Sequence, residues 1–185
     1  MLLEVIVKPD AETEKKLFGR PQALMQFRAG VRQATSSLER EIEANAPRAT
    51  GAFLASINSS VHEFGDPYRM VGRVYSTHPA ADAIEFGANP HTVPIREILR
   101  WMQAVSMDIK NKKTPEEVAF LIQRRIEERG LKPHHTFSDA YEAAEDYFHS
   151  AIDPILDAIG GEAEYAVELR SSGSYVASYP PFISD

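Results

Sequence analysis

The sequence predicts an α+β fold in which an antiparallel sheet with a hairpin and an edge strand packs against a long amphipathic helix and a carboxy-terminal helical half. Three observations predict it. Apolar residues recur at helical spacing within residues 21–47, two β-prone stretches flank a turn at residues 65–67, and helical patterns follow one another across residues 94–159. At 185 residues and 43% apolar content, the chain can bury the core of one domain. We expect that domain to span residues 1–170, with residues 171–185 as an extended arm.

The first part of the chain is expected to form a strand and two helices. Residues 2–7 are a short β-prone run that Pro9 ends, and residues 10–16 are expected to form a short helix. The next helix begins at Pro21 and stops at Pro47. Its apolar stripe consists of Leu24, Phe27, Val31, Ala34, Leu38 and Ile42.

Two strands and a junction follow this helix. Residues 57–64 and 68–76 are β-prone and are joined by Gly65, Asp66 and Pro67, so a hairpin is predicted. Residues 80–94, AADAIEFGANPHTVP, then link the strands to the helical half, and we call them the central segment. Gly87 follows a compact apolar turn there, so we expect it to need a positive φ or a close backbone neighbour.

Three helices and a strand complete the predicted fold. Pro94 opens a helix with an apolar stripe from Ile95 to Val105, and Trp101 lies beside that stripe. Thr114, Pro115 and Glu117 combine an N-cap, a first-turn proline and a capping-box glutamate, and Gly130 is expected to end that helix as a left-handed cap. A last helix begins near Ser138, and the alternation in residues 164–169 predicts an edge strand.

Composition narrows the functional classes. The chain has no cysteine, which excludes thiol chemistry and thiolate metal sites and suits assembly in the cytoplasm. Residues 1–10 are too short and too acidic for a signal peptide, and the chain has no apolar run long enough to cross a bilayer, so we expect no membrane partner. Residues 132–185 carry ten acids and two bases, which argues against tight nucleic-acid binding by that third of the chain.

Catalytic and metal sites are weighed against structural roles. Glu85 stands between two apolar neighbours, and a partner-facing or hydrogen-bonded structural acid is favoured over a catalytic carboxylate. His134 and His135 would point apart in an extended segment, and Walker, Rossmann and nucleophile-elbow patterns are missing from the sequence. One alternative function is a small metal-dependent hydrolase, which would use the cluster of His78, Asp82, Glu85 and His91.

A resemblance to a known family carries more information than these candidate sites. The stretch PRATGAFLASI, residues 47–57, resembles a block of the minor-tail or tail-completion family of long-tailed double-stranded DNA phages, and the central segment resembles that family's Ala-rich, Glu-aromatic-Gly block. The stretches IREILRWMQ and RGLKPHHTF, the helix across residues 119–126 and Ala140 resemble the longer members' Trp-bearing helix and ending. The resemblance covers roughly residues 24–159 in the same order. The chain departs from the family at Ala52 and Phe53, where many members carry polar or long residues, and the resemblance does not extend past Gly161.

The resemblance implies a non-enzymatic structural protein of the phage neck or upper tail, with neither cofactor nor metal. It implies a closed ring of identical copies, six being the first expectation. We expect the sheet to present its hairpin and its edge strand to neighbouring copies, so that repeated head-to-tail contacts close the ring. The implied neighbours are tail-tube, tail-terminator or head-completion proteins, and DNA passes only as non-specific cargo. A regulatory binding module is the other alternative, and it would show nucleic-acid affinity that falls steeply with salt.

Two groups of residues are expected at interfaces. In the central segment they are Glu85, Phe86 and Gly87. In the arm, Tyr175, Tyr179 and Phe182 are spaced along a polar stretch with Pro180 and Pro181, so a groove of a neighbouring copy could capture them.

Overall fold

A computed structural model describes residues 1–48, 51–63, 68–109 and 113–171 and confirms the predicted α+β fold. The turn predicted at residues 65–67 and the arm residues Tyr175, Tyr179 and Phe182 lie outside the described residues. The strands are β1 (Leu2–Pro9), β2 (Ile57–Glu63), β3 (Met70–Ser76) and β4 (Ala163–Arg170). The helices are α1 (Ala11–Phe18), α2 (Pro21–Asn45), α3 (Ala81–Phe86), α4 (Ile95–Ala104), α5 (Pro115–Arg129) and α6 (Thr136–Asp157).

The four strands form one antiparallel sheet in the order β2-β3-β1-β4. The predicted hairpin supplies β2 and β3, and β4 is an outer strand beside β1, as its alternating pattern predicted. The register sets Ile57 opposite Ser76 and Glu63 opposite Met70. The sheet therefore has one end at Ser76 and the other at Met70, and these two ends carry different surfaces.

Helices α2 and α6 pack against each other and against the sheet, and the main core lies between these layers. The alternation of β1 turns Leu3, Val5 and Val7 towards the helices, where all three are fully buried. A Cβ added at Gly30 of α2 would lie 2.8 Å from the carbonyl oxygen of Ala151 in α6, so the two helices need a glycine to approach this closely. Large buried side chains of this core include Phe27, Leu38, Ile42, Phe137 and Phe148.

Local end signals act as the sequence predicted, with one exception. Thr114 and Glu117 form the reciprocal capping box of α5, and Pro115 is its first residue. Gly130 ends α5 with φ 71° but ψ −162°, so the predicted left-handed cap is wrong. The reason is tertiary, because the next residue, Leu131, pairs through its backbone with Ala88. A Cβ added at Gly130 would lie 2.0 Å from the Ala88 oxygen.

Candidate interaction site at the central segment

The carboxylate of Glu85 caps a helix that begins about fifty residues later in the chain. Glu85 is fully buried; its Oε2 accepts the Phe137 N–H at 2.7 Å, and its Oε1 accepts the Ser138 N–H at 2.7 Å and the Ser138 hydroxyl at 2.5 Å. His135, the N-cap residue of α6, makes no capping bond with its own side chain. Glu85 therefore satisfies two amides that the start of α6 leaves unpaired, and its charge faces the positive end of the helix dipole.

Backbone pairing reinforces this link. Ala88 and Leu131 form a two-way bridge with N–O distances of 2.8 and 3.1 Å, and the His134 amide donates to the Ile84 oxygen at 2.8 Å. Gly87 has φ 77°, and an added Cβ would lie 2.5 Å from the Leu131 oxygen. The expectation for Gly87 is confirmed in both of its forms, a positive φ and a close backbone neighbour.

Between Ala88 and Leu131, the two residues of this bridge, the chain extends into a helical hairpin made of α4 and α5. Each of these helices packs mainly against the other. They enclose a small core of three buried residues, Ile98, Met102 and Ala119. The side-chain amide of Gln123 donates to the Val93 oxygen at 2.8 Å and ties α5 to the segment that enters α4. The hairpin is thus attached to the body through the Ala88–Leu131 pairing and has a core of its own.

An apolar groove of about 770 Å³ lies between the hairpin and the body. The body wall consists of Pro47, Phe53, His78 and Ile84, and the hairpin wall includes Val93, Ile98, Trp101, Ile122 and Ile126. The Phe53 and His78 rings meet edge to face with centroids 5.9 Å apart, which fixes that wall. The charged residues that line the groove are Glu97, Arg125 and Lys132. A groove of this composition suits an apolar protein surface with a polar rim.

The predicted interface residues of the central segment differ in exposure. Glu85 is inside the chain, where it caps α6, so the structure assigns it the role of a hydrogen-bonded structural acid. Phe86 and Gly87 are half-buried at the surface. The interface prediction for this segment now rests on the latter two residues and on the groove beside them.

The four residues of the hypothetical metal cluster are engaged separately. Asp82 lies 3.5 Å from the α-amino group of Met1, and Glu85 caps α6. The Nδ1 atom of His78 accepts the Ala80 amide at 3.2 Å, and His91 Nδ1 lies 2.7 Å from the Asn89 oxygen. Within the described ranges, no group of three or more histidines, aspartates or glutamates could hold a metal ion. The structure therefore gives the hydrolase alternative no assembled metal site.

The residues that line the groove were not predicted from the sequence to lie at an interface, and Trp101 and Leu131 are the large apolar ones that stay exposed. Trp101 is 39% exposed and Leu131 is 42% exposed, and both line the groove. The only feature of the sequence that pointed to Trp101 was its position beside the apolar stripe of α4. Leu131 carries no local signal, because its exposure depends on how the hairpin joins the body.

A polar cluster lies where α6 meets β4. His149 Nδ1 lies 2.8 Å from Asp153 Oδ2, and the Tyr165 hydroxyl donates to Asp153 Oδ1 at 2.6 Å. The hydrogen bond to Asp153 raises the pKa of His149, and the nearby Glu145 carboxylate acts in the same direction. Burial and the bond to Asp153 raise the pKa of Tyr165. Because the cluster ties the outer strand to α6, it has a structural role.

In the part of the chain that the structure describes, no helix is long and apolar enough to span a membrane. A scan against protein-family models and searches of curated proteins and of solved structures found no match to this chain.

Proposed function

We propose that this protein is a structural component of the neck or upper tail of a long-tailed phage, and that copies of it form a ring at the head-tail junction. It acts by assembly and not by catalysis. Its neighbours in the particle are tail-tube, tail-terminator or head-completion proteins.

One observation carries the proposal. The two blocks that carry the family resemblance are separated in sequence, yet both contribute to the same groove. Phe53 comes from the PRATGAFLASI block, Ile84 comes from the central segment, and both line the groove. The Thr77 amide donates to the Ser56 oxygen at 3.1 Å, and the Ser56 and Ser76 hydroxyls form a hydrogen bond of 2.7 Å, so the first block is joined to the end of β3, shortly before the central segment begins. Both segments that carry the resemblance therefore contribute to one surface, with Phe53 at a position where this chain departs from the family.

The character of that surface supports a protein partner. The groove walls are mostly apolar, with half-exposed aromatic and aliphatic side chains such as Trp101 and Leu131. Apolar anchors surrounded by a polar rim are typical of the centres of protein interfaces. The buried acid that could have suggested catalysis, Glu85, is fully occupied in capping α6.

The charge distribution supports DNA as passing cargo and not as a ligand. Glu142, Glu145 and Asp146 are exposed on α6, and they belong to the acidic third of the chain. Exposed carboxylates repel phosphates and would leave DNA mobile beside the protein.

Two measurements test the proposal. Native mass spectrometry of the purified chain, alone and with its tail proteins, should detect a closed homo-oligomer, with six copies as the first expectation. Electron microscopy of assembled particles with the subunit labelled should locate it at the neck or upper tail. Monomers in both samples, or a label elsewhere in the particle, would contradict the proposal.

The arm gives an internal control for the assembly test. A chain that ends at Arg170 retains the whole of β4 and should fold as the full chain does by circular dichroism. We expect it to assemble poorly, because Tyr175, Tyr179 and Phe182 supply apolar anchors in a polar stretch. Unchanged particle yield would count against docking by the arm.

A further inference from the structure

Strand β4 ends close to the groove between the helical hairpin and the body. Arg170 is opposite Leu2 in the sheet, and the oxygen of Met1, the neighbour of Leu2, accepts the Ser76 amide at 3.1 Å. His78, two residues after Ser76, lines the groove. Adding these neighbour distances, the Cα atoms of Arg170 and His78 are at most roughly 22 Å apart.

A second depression in the surface begins where β4 ends. It has a volume of about 510 Å³ and is lined by Arg170 and Ser171 as well as by Tyr75 and Ser76. The Ser76 hydroxyl accepts the amide of His78 at 3.1 Å, so this depression ends beside a residue that lines the groove. A chain that continues from Ser171 therefore has a concave path to the edge of the groove.

The arm, residues 171–185, is long enough to follow this path into the groove. Tyr179 is nine residues after Arg170 in the sequence, and nine extended residues span up to roughly 30 Å. This length exceeds the distance from Arg170 to His78. Tyr179 can therefore pass the edge of the groove, and Phe182, three residues later, can lie inside it.

The composition of the arm suits an apolar groove with aromatic walls. Within residues 175–183, YVASYPPFI, Ser178 is the only residue that is neither apolar, aromatic nor proline. Proline restricts the backbone before docking, so less entropy is lost, and proline-rich segments are recognised by aromatic-lined grooves. Phe53 and Trp101 supply aromatic rings on the two walls of this groove.

The charges of the groove and the arm are complementary. Glu97, the acid that lines the groove, already pairs with Arg100 at 3.1 Å. Arg125 and Lys132 also line the groove, and neither forms an ion pair with another residue that the structure describes. Asp185 is the only charged residue of the arm. The groove thus offers two cations to a segment whose single charged side chain is negative.

We propose that the arm fills the groove of its own chain, with Phe182 packed against Trp101 and Asp185 beside Arg125 and Lys132. Because the arm is tethered to the body, its effective concentration at its own groove is on the order of millimolar, which favours this groove over that of another copy in dilute solution. The inference does not rest on the proposed ring. Docking of the arm on a neighbouring copy then becomes an exchange of arms that preserves the same contacts, as in domain swapping.

Disulfide trapping in the full chain tests this contact, because the sequence has no cysteine of its own. The trapping variant carries Leu131→Cys in the groove and Ser184→Cys in the arm. The matched control carries Phe120→Cys and Ser184→Cys, since Phe120 is an exposed apolar residue of the same helical hairpin that does not line the groove. Both variants are oxidised in dilute solution, and non-reducing mass spectrometry distinguishes an internal disulfide from a cross-linked dimer.

The trapping variant should form an internal disulfide at least about tenfold faster than the control, because docking raises the effective concentration of the two thiols. Equal rates in the two variants would show that the arm does not select the groove, and the inference would be wrong. A cross-linked dimer in place of the internal disulfide would mean that the arm occupies the groove of another copy, which also overturns the inference.

Trp101 gives a second readout, since it is the only tryptophan of the chain and lines the groove. The arm variant carries Tyr179→Gln and Phe182→Gln, and the control carries Phe120→Gln and Leu121→Gln. Loss of two apolar anchors should weaken closure of the arm about a hundredfold, so acrylamide should quench Trp101 more strongly than in the wild type. The control should be quenched like the wild type.

Circular dichroism checks that every variant folds, and quenching of the arm variant equal to that of the wild type would contradict the inference. Both experiments use dilute single chains. A failed test of the arm contact therefore leaves the proposed function standing, and a labelled subunit that is absent from the neck leaves the arm contact standing.

Discussion

The body and the helical hairpin use the same kinds of apolar helix in different ways. In the body, α2 and α6 cover a sheet and bury large residues completely, including Phe27, Phe137 and Phe148. In the hairpin, α4 and α5 fully bury only a small core, and residues such as Ile95, Leu99 and Ile122 are only partly buried. The body is therefore stabilised by its own core, whereas the hairpin keeps apolar surface available for contacts.

This difference separates the part of the chain that supplies the main core from the part that leaves apolar surface exposed. A helix pair that covers a sheet buries its apolar stripe from two sides, and stability is then set by packing. A two-helix hairpin has one partner for each stripe, so the outer part of each stripe stays exposed and is available to another molecule. The hairpin should also open locally more easily than the body, since it has few buried contacts.

The largest expected effect distinguishes the two cores directly. Phe148→Ala should lower the free energy of unfolding by about 3–5 kcal/mol, because it leaves a cavity beneath the sheet where the ring approaches Gly72. Urea unfolding followed by circular dichroism measures this change. Met102→Ala in the hairpin core is the matched variant, and it should mainly speed amide hydrogen exchange in α4 and α5. If Met102→Ala lowers the free energy of unfolding measured in urea as much as Phe148→Ala does, the body and the helical hairpin unfold as one cooperative unit.

The second prediction concerns the capping of α6 by Glu85. Glu85→Gln should destabilise the protein by about 1.5–3 kcal/mol, because the amide can no longer accept from both Phe137 and Ser138 and loses its charge at the helix start. The measurement is urea unfolding beside Glu142→Gln, an exposed change on the same helix that should stay within about 0.5 kcal/mol of the parent. If the two substitutions lower the free energy of unfolding equally, the hydrogen bonds from Glu85 to the start of α6 do not stabilise the protein.

The third prediction concerns the attachment of the hairpin at Gly87. Gly87→Val should cost on the order of 1 to 3 kcal/mol, because a valine there must adopt φ 77° and would meet the Leu131 oxygen. Thermal melting tests it, with Gly19→Ala as the control, since Gly19 has φ −75° and an added Cβ there would lie 3.6 Å from the Lys15 oxygen, an ordinary van der Waals contact. A melting temperature within a degree of the parent for Gly87→Val would contradict the strain argument.

The smallest expected effect is a pH dependence confined to the body. The hydrogen bond to Asp153 raises the pKa of His149 above 6.5, so its stabilisation is present below about pH 6.5 and is lost as pH rises through the folded value. Since His149 is partly exposed, the difference should stay below about 1 kcal/mol. Comparing the unfolding free energy of the parent and His149→Gln from pH 5.5 to 8 measures it. If the difference in unfolding free energy between the parent and His149→Gln grows as pH rises, the pKa of His149 is not raised by Asp153 and the prediction is wrong.

The sequence by itself determined most of the elements and the local signals at their ends, although residues 81–86, expected to be a compact turn, form the helix α3. Periodicity predicted α2, the β2-β3 hairpin and the outer strand β4, and the capping box of α5 formed at the predicted residues. These features depend on residues a few positions apart, which meet in almost any compact state of the chain. Gly87 belongs with them, because a glycine after a compact apolar turn already indicates an unusual backbone angle.

Only the tertiary structure decided which residues that are distant in sequence contact each other. Glu85 was predicted to be a structural or partner-facing acid, but its partners, Phe137 and Ser138, follow from how α3 packs against the start of α6. The unusual ψ of Gly130 follows from its approach to Ala88, and the groove exists only because the hairpin and the body are held side by side. No pattern within a single segment specifies such contacts, since each depends on the packing of elements that are distant in sequence.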